Sequence, residues 1–193
     1  ISEVAMRVAD AVVSEFHTMD CGVLIVNPEQ QEIQRLGRAG VFGASTFNIL
    51  DLDGPGLVPD AIRTKQVVYV PDVRADERYL AGESRTRSEL VLPLVTPSGV
   101  IGALDLQSPQ LDAFSARDQR VLESFAESAA TSIENYILYS EIQRAKDELE
   151  QRVSERTVDL SVRNAVAETL SSSLNTGEML NGVRDLRQNT WFI

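Results

Sequence analysis

One cysteine, Cys21, and one histidine, His17, are all the chain offers for soft-metal or thiol chemistry. With one of each, no His/Cys metal cluster can be assembled, which counts against haem and non-haem iron as well. Cys21 opens the apolar run Cys21-Gly22-Val23-Leu24-Ile25-Val26, where a thiol reads as a small buried hydrophobe. His17 is followed by Thr18 and Met19, whereas a phosphoacceptor histidine stands within a helix and precedes an acidic residue and a hydrophobe. At a helix C-terminus a histidine is accounted for by the dipole. Gly37, Gly40 and Gly43 lack a Gly-Lys-Ser or Gly-Lys-Thr neighbour, so they read as turn chemistry and not as a phosphate cradle. Asp51 and Asp53 have no nucleophile placed opposite them, so they read as solvated turn residues. What remains is the stretch 71–87, dense in Arg, Asp and Glu. It is the longest loop in the chain, and long loops on compact domains often carry function.

These residues need elements to hold them. Val4, Val8, Ala11, Val12 and Phe16 recur at three and four, predicting a helix over residues 1–18. Residues 21–26 read as a strand ending at the Asn27-Pro28 turn, with residues 33–39 as its hairpin partner. A short strand within 44–52 and the turn Asp53-Gly54-Pro55-Gly56 follow. Next come a helix over 57–64 and a strand over 67–70. Strands over 89–95 and 100–106 flank the hairpin turn Pro97-Ser98-Gly99. Ser115, with Asp118 three residues on, caps a helix that meets no convincing stop before Asn175. At 1.5 Å per residue such a helix runs about 90 Å, too long to pack back on a domain this small. The distal part is expected to project and to need a partner for its apolar stripe.

Composition narrows the partners. The 193 residues carry a formal charge of −11, which repels nucleic-acid phosphates and anionic membrane surfaces. Neither nucleic acid nor membrane contact is expected. A single cysteine excludes an internal disulfide and suits a reducing cytoplasm. No stretch approaches the roughly 20 apolar residues of a membrane span. Ile1 stands inside an amphipathic pattern, so the chain reads as a fragment of a larger protein.

Taken in order, four stretches resemble bacterial GAF domains. Val67-Val68-Tyr69-Val70-Pro71-Asp72-Val73 followed by Asp76-Glu77-Arg78-Tyr79 is similar to the family's v-x-v-x-D-v-x-x-D-x-r-y stretch. Arg87-Ser88-Glu89-Leu90-Val91-Leu92-Pro93-Leu94 resembles r-S-e-l-x-v-P-l. Val100-Ile101-Gly102-Ala103-Leu104-Asp105-Leu106 resembles v-I-G-v-l-x-l, and Phe114-Ser115 with Asp118 resembles the entry to the final helix. The resemblance implies an α+β fold: an antiparallel sheet of about six strands with flanking helices on one face and a ligand pocket on the other. It makes residues 71–87 a lid over that pocket, with Asp72, Tyr79, Arg85, Arg87 and Ser88 as candidate ligand contacts. The ligand is unnamed, and so is any cofactor. The cyclic-nucleotide motif of the family is matched only at Phe114 and Asp118, which also have structural accounts as core aromatic and cap.

A second resemblance follows residue 140. Glu148 to Thr157 looks like the signalling helix that joins sensor to output domains, with its E-R-T signature intact as Glu155-Arg156-Thr157. Counting points independently to a coiled coil. Leu138, Ile142, Ala145 and Leu149 step by four, three and four, and Val153, Leu160, Ala167 and Leu174 step by sevens. The strings join at Leu149 and Val153 by four where three is due, a stutter that unwinds a supercoil locally and draws Arg152 and Arg156 toward the seam.

The expected organisation is therefore a GAF domain over residues 1–140, a signalling-helix coiled coil over 141–175, and over 176–193 a truncated next domain or extraneous tail. The expected function is a cytoplasmic regulatory module of a two-component system. It binds a small ligand or partner, pairs as a homodimer through the C-terminal helix, and drives an output domain such as a histidine kinase. On this reading the fragment is not an enzyme. A GAF-fold methionine sulfoxide reductase is set aside because that chemistry asks for several cysteines. A ligand-free dimerisation spacer is the alternative.

Overall fold

A computed structural model of the chain describes residues 1–16, 20–42 and 47–189, with side chains described through residue 168. His17, Gly43 and the final residues 190–193 lie outside the described residues. The chain divides into two units, residues 1–139 and 140–193.

The first unit is built on six antiparallel strands in the order β3-β2-β1-β6-β5-β4. They are β1 (Asp20–Asn27), β2 (Glu32–Gly40), β3 (Ile49–Asp51), β4 (Val68–Val70), β5 (Ser88–Thr96) and β6 (Gly99–Ser108). Helix α1 spans Ser2–Phe16, α2 spans Leu57–Thr64, and α3 begins at Ala116. A short 3-10 turn, Val73–Ala75, interrupts the long loop. The α+β architecture expected from the sequence is present strand for strand.

Period-two alternation divides the sheet into two faces. Cys21, Val23, Ile25, Leu90, Leu92, Leu94, Leu104 and Leu106 point one way and pack with Val12 of α1 and Leu122, Ala126 and Ile133 of α3. Truncating one of these leucines to alanine costs about 2–5 kcal/mol, because a close-packed core cannot collapse onto the void. Leu24, Val91 and Ala103 point the other way, against Leu57, Val58, Ala61 and Ile62 of α2. Gly37 sits inside β2 and not in a turn, and glycine is needed because a Cβ there would come 2.4 Å from the backbone of Ala5 in α1. This replaces the turn-chemistry account of that glycine. Lys65, in the left-handed region at φ 59°, ends α2.

Helix α3 runs Ala116–Asn189 without a proline. Its start is fixed as the spacing predicts: Ser115 Oγ accepts from the Asp118 N–H at 3.3 Å, and the Asp118 carboxylate accepts from the Ser115 N–H at 3.0 Å. It continues past Asn175, where the sequence suggests a stop. Serine and a lone Gly177 lower helix propensity by up to about 1 kcal/mol each but remove no backbone donor. In the second unit the apolar residues Leu149, Val153 and Leu160 are 62%, 57% and 59% exposed on the single chain. Among the described residues no helix is long and apolar enough to cross a membrane.

Candidate functional site

On the sheet face that carries α2, the polar residues of three strands converge. Arg35 and Arg38 come from β2, Asp105 and Gln107 from β6, and Glu89 from β5. Together with Tyr79, Leu80, Gly82, Phe47 and the Gly56-to-Pro59 start of α2 they line a cavity of about 40 Å³, room for about three waters.

Two arginines three residues apart in a strand should face opposite sides. A β-bulge brings them together. Val23 pairs with Gly37 and Leu24 with Arg35, so Leu36 is the extra residue on β2. Leu36 packs on the helix side, and Arg35 and Arg38 both face the cavity. Gly22 makes room for the first of them: a Cβ at that position would sit 1.7 Å from Arg35 Nη1.

The polar groups form a connected network. Arg35 Nη2 donates to Asp105 Oδ2 at 3.0 Å, with side chains 8% and 2% exposed. Gln107 Nε2 also donates to Asp105, at 3.0 Å, and the Thr86 hydroxyl donates to Gln107 Oε1 at 3.0 Å. Arg38 Nε donates to Asp20 Oδ1 at 2.7 Å, and the second Asp20 oxygen accepts from the Phe42 N–H at 3.0 Å. Burial raises the Asp20 carboxyl above its ordinary value, against the lowering pull of the Phe42 amide and Arg38. Glu89 is buried, and burial, the Asp105 charge and a hydrogen bond to Asp105 push its carboxyl well above the usual range. Among the described residues, three buried atoms here have no hydrogen-bond partner: Glu89 Oε2, Arg35 Nη1 and Arg38 Nη2. Buried polar atoms are normally satisfied, so their orphaned state marks where a ligand would be held.

Of the sequence-derived candidates, Tyr79 lines the cavity. It donates to the Glu83 carbonyl at 3.3 Å, and burial raises its phenol above the ordinary value. Arg85 pairs with Glu83 at 3.0 Å and stacks over the Phe42 ring at 4.9 Å, tying the loop to the end of β2. The Arg85 guanidinium, through its hydrogen bonds, holds the Glu83 carboxyl down at about 2. Asp72 accepts from the Arg74 N–H at 3.2 Å and meets Arg87 at 3.5 Å, and the Ser88 hydroxyl donates to the Gln110 carbonyl at 2.8 Å. These three hold the base of the loop. The sequence reading missed Arg35, Arg38, Glu89, Asp105 and Gln107. The available signal was charge inside strand patterns: Glu89 and Asp105 are acids in otherwise apolar runs.

Cys21 is fully buried on the opposite, helix-covered face, and burial pushes its thiol far up. Of the proposed transmission residues, Leu149, Arg152, Val153, Glu155, Arg156 and Thr157 are all exposed along α3. Arg152 lies 3.9 Å from Glu148, Gln151 donates to Glu155 at 2.9 Å, and the Thr157 hydroxyl donates to the Val153 carbonyl at 2.8 Å.

The GAF domain family profile matches residues 1–134. This chain belongs to the GAF domain family. It is a sensory and regulatory fold that also includes enzymes. GAF domain-containing protein A of Dictyostelium discoideum is 35% identical over 69 residues, 36% of this chain and 44% of that protein. The free methionine-R-sulfoxide reductase of Escherichia coli is 33% identical over 69 residues, 36% of this chain and 42% of that enzyme. The free methionine-R-sulfoxide reductase of Neisseria meningitidis, solved with its substrate, superposes with a TM-score of 0.62 at 25% identity, covering 69% of this chain and 77% of that one. The chain thus spans less than half the length of the curated relatives it matches. These reductases overturn the expectation that the chain is not an enzyme. That expectation rested on counting cysteines, and the count is silent about a pocket whose polar chemistry resides in buried acids and guanidiniums.

Proposed function

We propose that the Arg35–Glu89–Asp105 cavity of this GAF domain receives the ammonium and carboxylate end of a free amino-acid-class zwitterion. One observation carries the reading: the cavity presents buried, unpartnered atoms of opposite kind, Glu89 Oε2 as an acceptor for an ammonium and Arg35 Nη1 as a donor to a carboxylate. Such charge-assisted bonds are the strong ones in a water-poor site. The reductases of Escherichia coli and Neisseria meningitidis support the ligand class, since free methionine sulfoxide is a zwitterion of this kind. Titration calorimetry with L-methionine-R-sulfoxide tests it. Binding that is lost in both Glu89→Gln and Arg35→Met supports the pocket. No heat with that ligand or with any standard amino acid rejects it. The same mixture, given a dithiol reductant, reads turnover as methionine released.

We infer further that α3 pairs with a second copy of the chain and carries the ligand's state to an output domain such as a histidine kinase. The exposed apolar residues Leu149, Val153 and Leu160 favour this reading, because a long helix with an uncovered apolar stripe is stabilised by a partner helix. Glu155-Arg156-Thr157 at the stutter would be the element with two packings. Light scattering decides it: a strict monomer at tens of micromolar removes the pairing.

A further inference from the structure

Two carboxyl groups, Glu89 and Asp105, and two guanidiniums, Arg35 and Arg38, line the cavity, and a third carboxyl, Asp20, holds Arg38. Lining the cavity with Glu89 are Asp105 and Gln107 from β6, Arg35 and Arg38 from β2 and Tyr79 from the loop, and Asp20 of β1 pairs with Arg38. Arg38 is taken by Asp20 at 2.7 Å, and Arg35 by Asp105 at 3.0 Å. Glu89 is the remaining carboxyl, 4% exposed, and among the described residues no guanidinium pairs with it. Its Oε2 has no partner. An ionised carboxylate there would be a buried, unpaired charge, which is far costlier than a neutral carboxylic acid. Asp105 already accepts from Arg35 and Gln107, so of the two neighbouring acids Glu89 is the one to hold the proton.

Resting on the pocket reading above, we propose that the cavity takes up its ligand's ammonium group in exchange for the proton of Glu89. In the empty pocket Glu89 is a neutral acid. When the ammonium enters, the Glu89 O–H bond breaks and the proton passes to the buffer. The ligand nitrogen keeps its own protons and donates one of them to the new carboxylate. No electrons move, and the cavity's charge with the ligand's ammonium equals its charge when empty. The strongly raised Glu89 carboxyl is consistent with this. Linkage then makes affinity rise about tenfold per pH unit while the empty pocket remains protonated.

The test is calorimetry of L-methionine-R-sulfoxide at neutral pH in phosphate and in Tris, whose ionisation heats differ. The expected result is an enthalpy difference equal to about one proton released per ligand. Binding with equal enthalpy in both buffers overturns the exchange and leaves the pocket reading standing. Absence of binding rejects the pocket reading instead, and the exchange is then decided by infrared spectroscopy. The ligand-free protein should show a buried carboxylic-acid C=O band that is missing in Glu89→Gln and fades as methylammonium chloride is added. A band that is absent, or that persists, overturns the proposal.

Discussion

Arg35 on β2 and Asp105 on β6 are joined by a 3.0 Å hydrogen-bonded ion pair across the intervening strand β1, with both side chains nearly sealed from solvent. The pair spans three strands and forms one wall of the cavity. Removing one member leaves an uncompensated buried charge. We therefore expect Arg35→Met to lower unfolding free energy by about 3–5 kcal/mol in urea denaturation. The double variant Arg35→Met, Asp105→Leu should recover much of that loss. Equal losses in the single and double variants would show that the pair is not what holds this wall.

Glu89 should set the alkaline side of the stability profile. Its folded-state carboxyl is raised above the unfolded value, so the native state binds the extra proton. Stability from this group is complete below the unfolded value and is lost as pH rises toward the folded one. The melting temperature of the native chain should thus fall from mildly acidic to mildly alkaline pH, and Glu89→Gln should flatten that fall. Parallel profiles for the two proteins would contradict it.

Gly22 tests the placement of the guanidinium. An alanine Cβ would meet Arg35 Nη1 at 1.7 Å, so the head group must leave its position. Loss of a hydrogen bond to a charged group costs about 1.5–3 kcal/mol. Gly22→Ala should weaken zwitterion binding by about tenfold or more in calorimetry while far-ultraviolet dichroism stays native. Unchanged affinity would take Arg35 out of ligand recognition.

Arg156 tests the proposed pairing of α3. If it sits at the stutter seam, Arg156→Leu replaces a charge by an apolar side chain and should raise the melting temperature of the dimer, more so at higher protein concentration. An unchanged or lowered value would place the residue toward solvent.

Much of the fold is legible in the sequence. Leu90 to Leu94 form a continuous apolar run, as a strand covered on both faces requires, and Ser115 with Asp118 announced the start of α3 to the residue. Both signals are local, so sequence order alone carries them. The loop at 71–87 was also legible, and Tyr79 from it lines the cavity.

The heart of the candidate site was not legible. Arg35 and Arg38 are an odd number of residues apart, and alternation alone assigns them to opposite faces. The bulge at Leu36 reverses that assignment, and a bulge shows only when β2 is laid against β1. Glu89 and Asp105 lie 16 positions apart in the sequence and meet through the β5–β6 register that pairs Val91 with Asp105. The periodicities of the chain thus determined which elements form and which apolar faces they bury. Strand pairing alone decided which charges share a cavity, and it left one buried carboxyl without a cation, because register and bulge position depend on partners distant in the chain.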